Sequence, residues 1–308
     1  MRVFVAGATG AIGRPLVRQL VDAGHDVTAA SRSAGRAEWL RELGAEPVGC
    51  DALDPAAVEA AVSQARPEAI VNELTAIPAA IDPRKMAEQF AQTNRLRSEG
   101  TANLMAAAEA HGVRRLVSQS VAFAYASTAP GSTWTEDDAL ADDGELTDAL
   151  HELERRTLGS PRVEGVVLRY GFFYGPGTVY STAGSSAELA RKRRFPLIGG
   201  SDGMWPFVHV DDAAAATVAA LDRGAPGVYN AVDDEPARYG DWLPAFADAV
   251  GAKPPRRVPR WLARIAAGPQ VVRYATELQP VSNEKAKREL GWQPRHPSWR
   301  QGFREALD

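Results

Sequence analysis

The chain has 308 residues, of which 45% are hydrophobic and 24% charged, the balance of a soluble globular protein with one large domain or two. Its formal net charge of -4 argues against a general binder of nucleic acid or anionic membranes. No apolar stretch approaches the ~18 residues of a membrane span. Cys50 is the only cysteine, which excludes an intramolecular disulfide and favours a cytoplasmic location. We therefore expect a small-molecule substrate as partner, and neither nucleic acid nor a membrane.

The first predicted elements are a strand and a helix joined by a glycine-rich turn. Residues 3–6 form an apolar run typical of a strand buried on both faces, and apolar residues recur at helical spacing after Ile12. Between them, Gly7, Gly10 and Gly13 allow the tight turn and close approach that place a pyrophosphate over a helix N-terminus. The alternative is a glycine-rich turn without a ligand. The residues of this turn predicted to bind a dinucleotide are Gly7, Thr9, Gly10, Ala11, Ile12 and Gly13.

A second strand is predicted at residues 26–30. In a dinucleotide-binding fold the end of this strand faces the adenosine ribose, where a carboxylate suits a 2′-hydroxyl and an arginine suits a 2′-phosphate. The chain has Arg32 there, with Arg36 a turn further on and no carboxylate. NADP(H) is therefore favoured over NAD(H) as the cofactor. The alternative is that both arginines are solvated surface charges.

Strands and helices then alternate along the chain. Further strands are predicted at 46–50, 69–72, 115–120 and 165–170, and helices at 36–43, 55–65, 85–111 and 147–158. This alternation predicts an α/β fold with a parallel sheet covered on both faces. An alanine-rich helix within 207–222 is predicted to have Asp211 or Asp212 as its N-cap. The acidic stretch 127–147 has no fixed ligand spacing, so no metal site is predicted.

Several motifs together resemble one enzyme family. They are GATGAIG, CDALD, TNRLRSEGTANLMAAAEAHGVRRLVSQS, LRYGFFYGPG, FVHVDDAAAA, GVYNAVDDEP and SNEKAKRELGW. With them the chain resembles the extended short-chain dehydrogenases/reductases of the NAD(P)-dependent epimerase/dehydratase type over nearly its whole length. The resemblance implies a Rossmann-like, doubly wound parallel sheet with a smaller C-terminal substrate-binding lobe. It implies a dinucleotide-binding domain at 1–175, to which 207–235 return, and a lobe formed mainly by 176–308.

The resemblance also extends the expected cofactor site beyond the glycine turn. It implies contacts from the loops after the third and fourth strands, from the long helix and from the fifth strand. The residues implied are Asp51, Ala52, Leu74, Thr75, Ala76, Asn94 and Ser118.

The family's hydride-transfer machinery is only partly present. In the family, a serine after strand five acts with a tyrosine and a lysine four residues apart on the next helix, and the tyrosine transfers a proton to or from the substrate oxygen. Ser120 matches the serine, but Leu146 and Leu150 stand at the tyrosine and lysine positions. No misalignment restores the pair, because no lysine occurs between Lys85 and Lys192 and no tyrosine between Tyr125 and Tyr170. We predict Ser120 and Tyr125 as catalytic residues, with core packing as the alternative for Tyr125.

The substrate contacts also depart from the family pattern. In members that act on nucleotide sugars, an asparagine and an arginine contact the substrate phosphates; this chain has Phe172 and Trp205 at those positions. Two large rings favour an apolar or conjugated substrate over a diphosphate. The alternative is that both rings belong to the core. Glu73, in the loop after strand four, is a further predicted substrate contact and a base if it is desolvated.

These features lead to the expectation of an NADP(H)-dependent oxidoreductase acting on a small, apolar or conjugated metabolite. Two other classes stay open: a non-redox isomerase, epimerase or lyase that uses a bound NAD(P), and a catalytically silent nucleotide sensor. A homodimer is compatible with the sequence.

Overall fold

The structure is a computed structural model that describes residues 1–32, 34–129, 131–142 and 144–308. Within these residues a seven-stranded parallel sheet forms the centre, and six short strands pair in twos elsewhere. The strands are β1 Arg2–Ala6, β2 Asp26–Ser31, β3 Glu46–Gly49, β4 Ala69–Asn72, β5 Arg115–Val121, β6 Glu164–Tyr170, β7 Phe172–Tyr174, β8 Leu197–Ile198, β9 Met204–Trp205, β10 Phe207–His209, β11 Gly227–Ala231, β12 Ala237–Arg238 and β13 Arg257–Val258.

Helices connect these strands. They are α1 Gly13–Asp22, α2 Ala37–Glu42, α3 Pro55–Ala65, α4 Met86–Arg95, α5 Thr101–Ala110, α6 Glu145–Leu158, α7 Ser185–Arg191, α8 Val210–Asp222, α9 Tyr239–Ala249, α10 Arg260–Ala267, α11 Pro269–Thr276 and α12 Trp299–Glu305.

The order of strands in the central sheet is β11-β6-β5-β4-β1-β2-β3, with all neighbours parallel. The chain moves outward in one direction from β1 to β3 and then returns to β4 on the other side of β1. A crevice therefore opens between the carboxyl ends of β1 and β4, where open α/β sheets generally bind their ligands. The predicted Rossmann-like, doubly wound fold is confirmed.

Helices cover both faces of the sheet. On one face, α1 and α8 pack against each other, and on the other face α5 packs against α3 and α6. β1 is buried on both sides, which explains its continuous run of Val3, Phe4 and Val5. The start of α3 is fixed by Asp54, whose side chain accepts hydrogen bonds from the amides of Ala56 (3.0 Å) and Ala57 (3.3 Å).

The C-terminal part builds a separate aromatic core around α9 and α12, with Trp205, Phe207 and Trp242 among its buried members. Residues 207–235 return to the sheet, because β11 pairs with β6 and α8 packs on α1. The exact domain limits, 1–175 and 176–308, stay a prediction.

One helix prediction holds and one needs correction. The helix predicted at 85–111 is continuous over residues 86–110, with Leu96–Gly100 as a π-helical segment between α4 and α5. The N-cap of α8 is His209, not Asp211 or Asp212: the imidazole Nδ1 accepts from the amide of Asp211 at 3.2 Å. The Asp212 carboxylate instead accepts from the amides of Arg295 and His296, where it holds the C-terminal segment.

Candidate active site

The glycine turn closes tightly over the start of α1. Gly7 has φ +91°, and a Cβ built there would lie 2.4 Å from the carbonyl oxygen of Glu73. At Gly13 a Cβ would lie 2.3 Å from the carbonyl oxygen of Gly7. Both positions therefore require glycine, for backbone conformation at the first and for space at both. The turn leaves the amides at the N-terminus of α1 available to an anion.

A cleft runs from this turn across the carboxyl ends of β1, β2 and β4. Ten of the predicted cofactor and substrate residues line it. They are Gly7, Thr9, Gly10, Arg32, Arg36, Asp51, Ala52, Glu73, Leu74 and Thr75. Apolar side chains complete the wall, including those of Phe4, Leu96 and Leu104. The cleft therefore combines a backbone anion site with an apolar wall that suits a flat ring.

The remaining predicted cofactor residues are not among those that line this cleft. Ile12 and Gly13 are buried at the start of α1, next to Ala11. The amide of Ala76 donates to Thr93 Oγ1 (3.0 Å), and Ser118 Oγ accepts from Thr157 Oγ1 (2.9 Å). Asn94 Oδ1 is buried without a hydrogen-bond partner. Their cofactor contacts stay predictions.

Arg32 and Arg36 are both exposed at the adenosine end of the cleft. Arg36 Nη1 donates to the carbonyl oxygen of Thr9 at 2.9 Å, so its guanidinium lies beside the glycine turn. Two cations at this point create a positive end to the cleft.

Glu73 follows β4 directly below the glycine turn. Its side chain is 3% exposed, and its Oε1 accepts from Tyr170 Oη at 3.3 Å while Oε2 has no partner. Burial raises the pKa of Glu73 to about 8. The carboxyl group is therefore largely protonated at neutral pH. Because Tyr170 packs in the core of α1 and α8, the Glu73 side chain points to the face opposite α6.

The second part of the candidate site, the α6 end, is formed by residues that are not among those lining this cleft, and α6 carries leucines there at the positions of the family's tyrosine and lysine. Leu150 is fully buried and Leu146 half-buried in the C-terminal core. Ser120 is also buried, and its Oγ donates to Glu154 Oε1 at 2.7 Å. Glu154 is held in turn by Arg169, which donates to both carboxylate oxygens at 2.9 and 2.7 Å. The hydroxyl of Ser120 therefore donates its proton to a carboxylate that already forms a buried ion pair with Arg169.

Tyr125 is likewise held by the protein. Its Oη donates to Asn230 Oδ1 at 2.6 Å, and the Arg169 guanidinium lies 4.8 Å from the ring centroid. Burial raises the pKa of Tyr125 to about 12, which makes this hydroxyl a weak acid. The catalytic roles of Ser120 and Tyr125 stay predictions.

The rings of Phe172 and Trp205 form part of a continuous aromatic stack. Phe172 lies between Phe123, at a centroid distance of 4.0 Å, and Trp205, at 4.1 Å. Tyr274 meets Phe172 edge-on at 5.8 Å. Trp205 is buried, whereas Phe123, Phe172 and Tyr274 keep part of their surface exposed. We refer to these four residues as the aromatic stack.

Sequence reasoning missed Phe123, Tyr274 and, above all, Arg97. Arg97 is 3% exposed in the π-helical segment that packs against α6, and its Nη1 has no hydrogen-bond partner in the described part of the chain. One signal was available: Arg97 falls on the buried stripe of its helix together with Thr93, Leu96 and Leu104.

A second group of polar side chains lies on the C-terminal side. Ligand atoms of His209, Asp212 and His296 lie within 4.8 Å of one another. They are already engaged: His296 Nδ1 lies 2.8 Å from Asp212 Oδ2, and His209 Nε2 lies 3.0 Å from the carbonyl oxygen of Ala306. This group connects the start of α8 with the C-terminal segment.

Among the described residues, no helix combines the length and apolar character needed to cross a membrane.

Comparisons with known proteins agree with this geometry. A 3-diazoavenalumate denitrifying reductase from Streptomyces sp is 46% identical, with 98% of this chain and 99% of that protein covered. A 2-alkyl-3-oxoalkanoate reductase from Stenotrophomonas maltophilia (strain K279a) is 28% identical, with 82% and 76% covered. These relatives confirm the prediction of an oxidoreductase that acts on a small metabolite.

Among solved structures, UDP-glucose 4-epimerase of Thermus thermophilus in complex with NAD is similar with a TM-score of 0.78. It is 24% identical, with 100% of this chain and 98% of that chain covered, a level that shows the fold alone. The model of the NAD dependent epimerase/dehydratase family matches residues 3–231, about three quarters of the sequence. With the glycine turn, the doubly wound sheet and these matches together, the chain belongs to the NAD dependent epimerase/dehydratase family.

Proposed function

We propose that this protein uses NADPH to reduce a conjugated or cationic acceptor by hydride transfer, without a proton from a catalytic tyrosine. The observation that carries the proposal is the apolar face of α6, where Leu146 and Leu150 replace the tyrosine and lysine of the family. Loss of a positioned general acid costs a simple ketone about 10²–10⁴-fold in rate. An acceptor that needs no proton in the hydride-transfer step avoids this loss.

The state of the nearby hydroxyl groups supports the same reaction. Ser120 donates to Glu154 and Tyr125 donates to Asn230, so neither proton is free for a substrate oxygen. We propose that both residues border the acceptor site and position it, and that neither protonates the product. In enone reduction, water would then supply the proton to the delocalised enolate.

An arenediazonium group is the acceptor that fits this site best, and the name of the 46% identical relative points to the same class. Hydride from NADPH would form a C–H bond at the carbon that carries the diazonium group. The C–N bond would break with its electron pair leaving on dinitrogen. The reaction R–N₂⁺ + NADPH → R–H + N₂ + NADP⁺ balances without any proton transfer.

The aromatic stack supports a flat, conjugated substrate. Phe123, Phe172 and Tyr274 present exposed ring surface at the carboxyl ends of β5 and β6, against which an aromatic ring gains both area and stacking energy. A sugar diphosphate would find two apolar rings, Phe172 and Trp205, where it needs donors. We therefore propose that nucleotide sugars are excluded.

Arg32 and Arg36 support NADP(H) over NAD(H). Both line the adenosine end of the cleft, and their exposed guanidinium groups suit a 2′-phosphate. The loop after β2 offers no carboxylate at residues 30–32 that would prefer a 2′-hydroxyl.

Stopped-flow oxidation of NADPH tests the proposal with three acceptors: 4-hydroxybenzenediazonium, an aryl enone and the matching aryl ketone. We expect the diazonium and the enone to react and the ketone to be slowest. Because diazonium salts can oxidise NADPH without protein, the reaction is repeated with NADPH deuterated on either face of C4. Enzymatic transfer should place deuterium in the product from one face only. Fastest reaction with the ketone would refute the proposal, and conversion of a substrate without NADPH oxidation would favour a non-redox enzyme.

A further inference from the structure

Arg97 is a buried cation that the fold leaves unpaired. The other two buried arginines are satisfied: Arg115 donates to Glu164 and to three backbone carbonyls, and Arg169 to both oxygens of Glu154. Among the residues that the structure describes, Arg97 has no carboxylate and no hydrogen-bond acceptor, and its Nη1 is completely enclosed. Burying a charge without a partner opposes folding by several kcal/mol in general. Such a group persists most readily when it serves a ligand.

The segment that carries Arg97 borders the cofactor cleft and packs against α6. The preceding residue, Leu96, lines the cofactor cleft, and a Cβ at Gly100, one turn later, would lie 3.4 Å from Leu74 Cδ1. On its other side, the titratable group that acts on Arg97 is Tyr274 of the aromatic stack. Arg97 therefore follows a residue that lines the cofactor cleft, and its charge is within electrostatic reach of Tyr274 in the aromatic stack. The π-helical segment that carries it is a distortion often found at functional sites.

The charge of Arg97 is retained at neutral pH. Burial lowers its pKa to about 10, still well above 7. A guanidinium in a dry site offers parallel N–H donors that match the two oxygens of a carboxylate. Asn94, three residues earlier, also has a buried side-chain oxygen, Oδ1, with no hydrogen-bond partner among the described residues.

We propose that Arg97 binds the carboxylate of the acceptor substrate, so that the enzyme selects conjugated aromatic acids whose ring lies against the aromatic stack. This inference rests on the proposed reductase function and narrows its substrate class. The acceptor is then an amphiphile with an apolar, conjugated body and one anionic end.

Binding of two analogues that have nearly the same shape, one charged and one neutral, tests the proposal without any turnover. The probes are trans-cinnamate and trans-cinnamamide, which differ in charge and little in shape, titrated by calorimetry into the full chain saturated with NADP⁺. If the cinnamate carboxylate accepts hydrogen bonds from the Arg97 guanidinium, cinnamate should bind about 10–150-fold more tightly than cinnamamide. Arg97→Gln should remove this preference, and Arg97→Lys should keep part of it. Arg95→Gln, two residues away and exposed beside Glu99, is the matched control and should change neither affinity.

Two further measurements separate a binding role from other roles. NADPH affinity should be unchanged in Arg97→Gln; a loss would mean that Arg97 binds the cofactor and would overturn the proposal. The thermal midpoint of Arg97→Gln should equal or exceed that of the parent, because an unpaired buried cation is removed. A lower midpoint would assign Arg97 a structural role and overturn the proposal as well.

The test also distinguishes this inference from the function on which it rests. Equal binding of acid and amide, with NADPH oxidised by neutral enones, would overturn the carboxylate site and leave the reductase. Preference for the acid without NADPH oxidation by any acceptor would overturn the reductase and leave an anion site of another function.

Discussion

The two ends of the proposed active site, the glycine-turn cleft and the α6 end, differ in how they use polar groups. At the glycine-turn end, backbone amides and the guanidinium groups of Arg32 and Arg36 face the open cleft. At the α6 end, the polar side chains of Ser120, Glu154 and Arg169 satisfy one another in the interior. The first end is therefore ready to receive an anionic cofactor. The second end retains the fold of the family, with Leu146 and Leu150 at the positions of its tyrosine and lysine.

This difference shows that cofactor binding and chemistry depend on separate parts of the structure. The cofactor end is determined by backbone geometry over a few consecutive residues. The chemical end is determined by side chains from α6, β5, β6 and the C-terminal lobe, each of which can change without disturbing the sheet. A member of the family can therefore keep its nucleotide and change its reaction.

The largest effect is expected from Gly13→Ala. Its Cβ would lie 2.3 Å from the carbonyl oxygen of Gly7, so backbone must move and the turn must open. We expect loss of measurable NADPH binding in calorimetry and a marked fall in thermal stability. Gly10→Ala is the matched comparison, since its Cβ meets only the Gly7 oxygen, at 3.3 Å, and the fold should survive. Equal stability and NADPH affinity for Gly13→Ala and the parent would contradict this account of the turn.

Leu150→Ala should reveal that the α6 end is a core. Leu150 is fully buried, and its truncation should lower the free energy of unfolding by about 2–5 kcal/mol. Leu146→Ala, at a half-buried position on the same helix face, should cost less. Urea unfolding followed by tryptophan fluorescence measures both. If Leu150→Ala kept its stability but reduced enones more slowly than the parent, Leu150 would line the substrate site. The α6 end would then be a ligand-facing surface, as the glycine-turn end is, and not a core.

The sequence predicts the cofactor end better than the chemical end, for a physical reason. Glycine spacing, strand periodicity and the absence of a carboxylate near Arg32 are local signals, and residues such as Gly7, Asp51 and Thr75 line the cleft as the fold requires. The partners of Ser120 and Tyr125 come from residues 34 and 105 positions away, which no local pattern reveals. The burial of Arg97 comes from packing of its segment against α6, which lies much later in the chain.

Arg32→Ala tests the cofactor end without touching the fold. Arg32 is exposed, so the substitution should leave stability unchanged and weaken NADPH by about 1.5–3 kcal/mol, the range for a hydrogen bond to a charged group. NADH affinity should hardly change, because that nucleotide has no 2′-phosphate. Fluorescence titration of both nucleotides gives the comparison. Tighter binding of NADH than of NADPH by the parent protein would rule out the proposed preference.

The most gradual effect is the pH dependence of stability that comes from Glu73. The pKa of this buried carboxyl is about 8 in the folded protein, against 4.5 for an ordinary glutamate. Between these two pH values the folded state keeps a proton that the unfolded state has lost. Stability should therefore fall as pH rises through this window, by at most about 1.4 kcal/mol per pH unit, because one proton is linked. Above pH 8 this contribution should become constant.

Glu73→Gln keeps the shape of the protonated side chain and cannot ionise, so it should remove this part of the slope. Urea unfolding of both proteins between about pH 5 and pH 8 isolates the Glu73 contribution, because the other titrating groups are common to both. Glu145→Gln, exposed at the start of α6, is the control and should leave the slope as it is in the parent. NADPH binding adds a second readout, because an ionised Glu73 below the glycine turn would repel the pyrophosphate and weaken the parent above pH 8. If the free energy of unfolding changed with pH in the same way for the parent and Glu73→Gln, the pKa of Glu73 would not be raised by burial. Water or a ligand group would then solvate this carboxyl group.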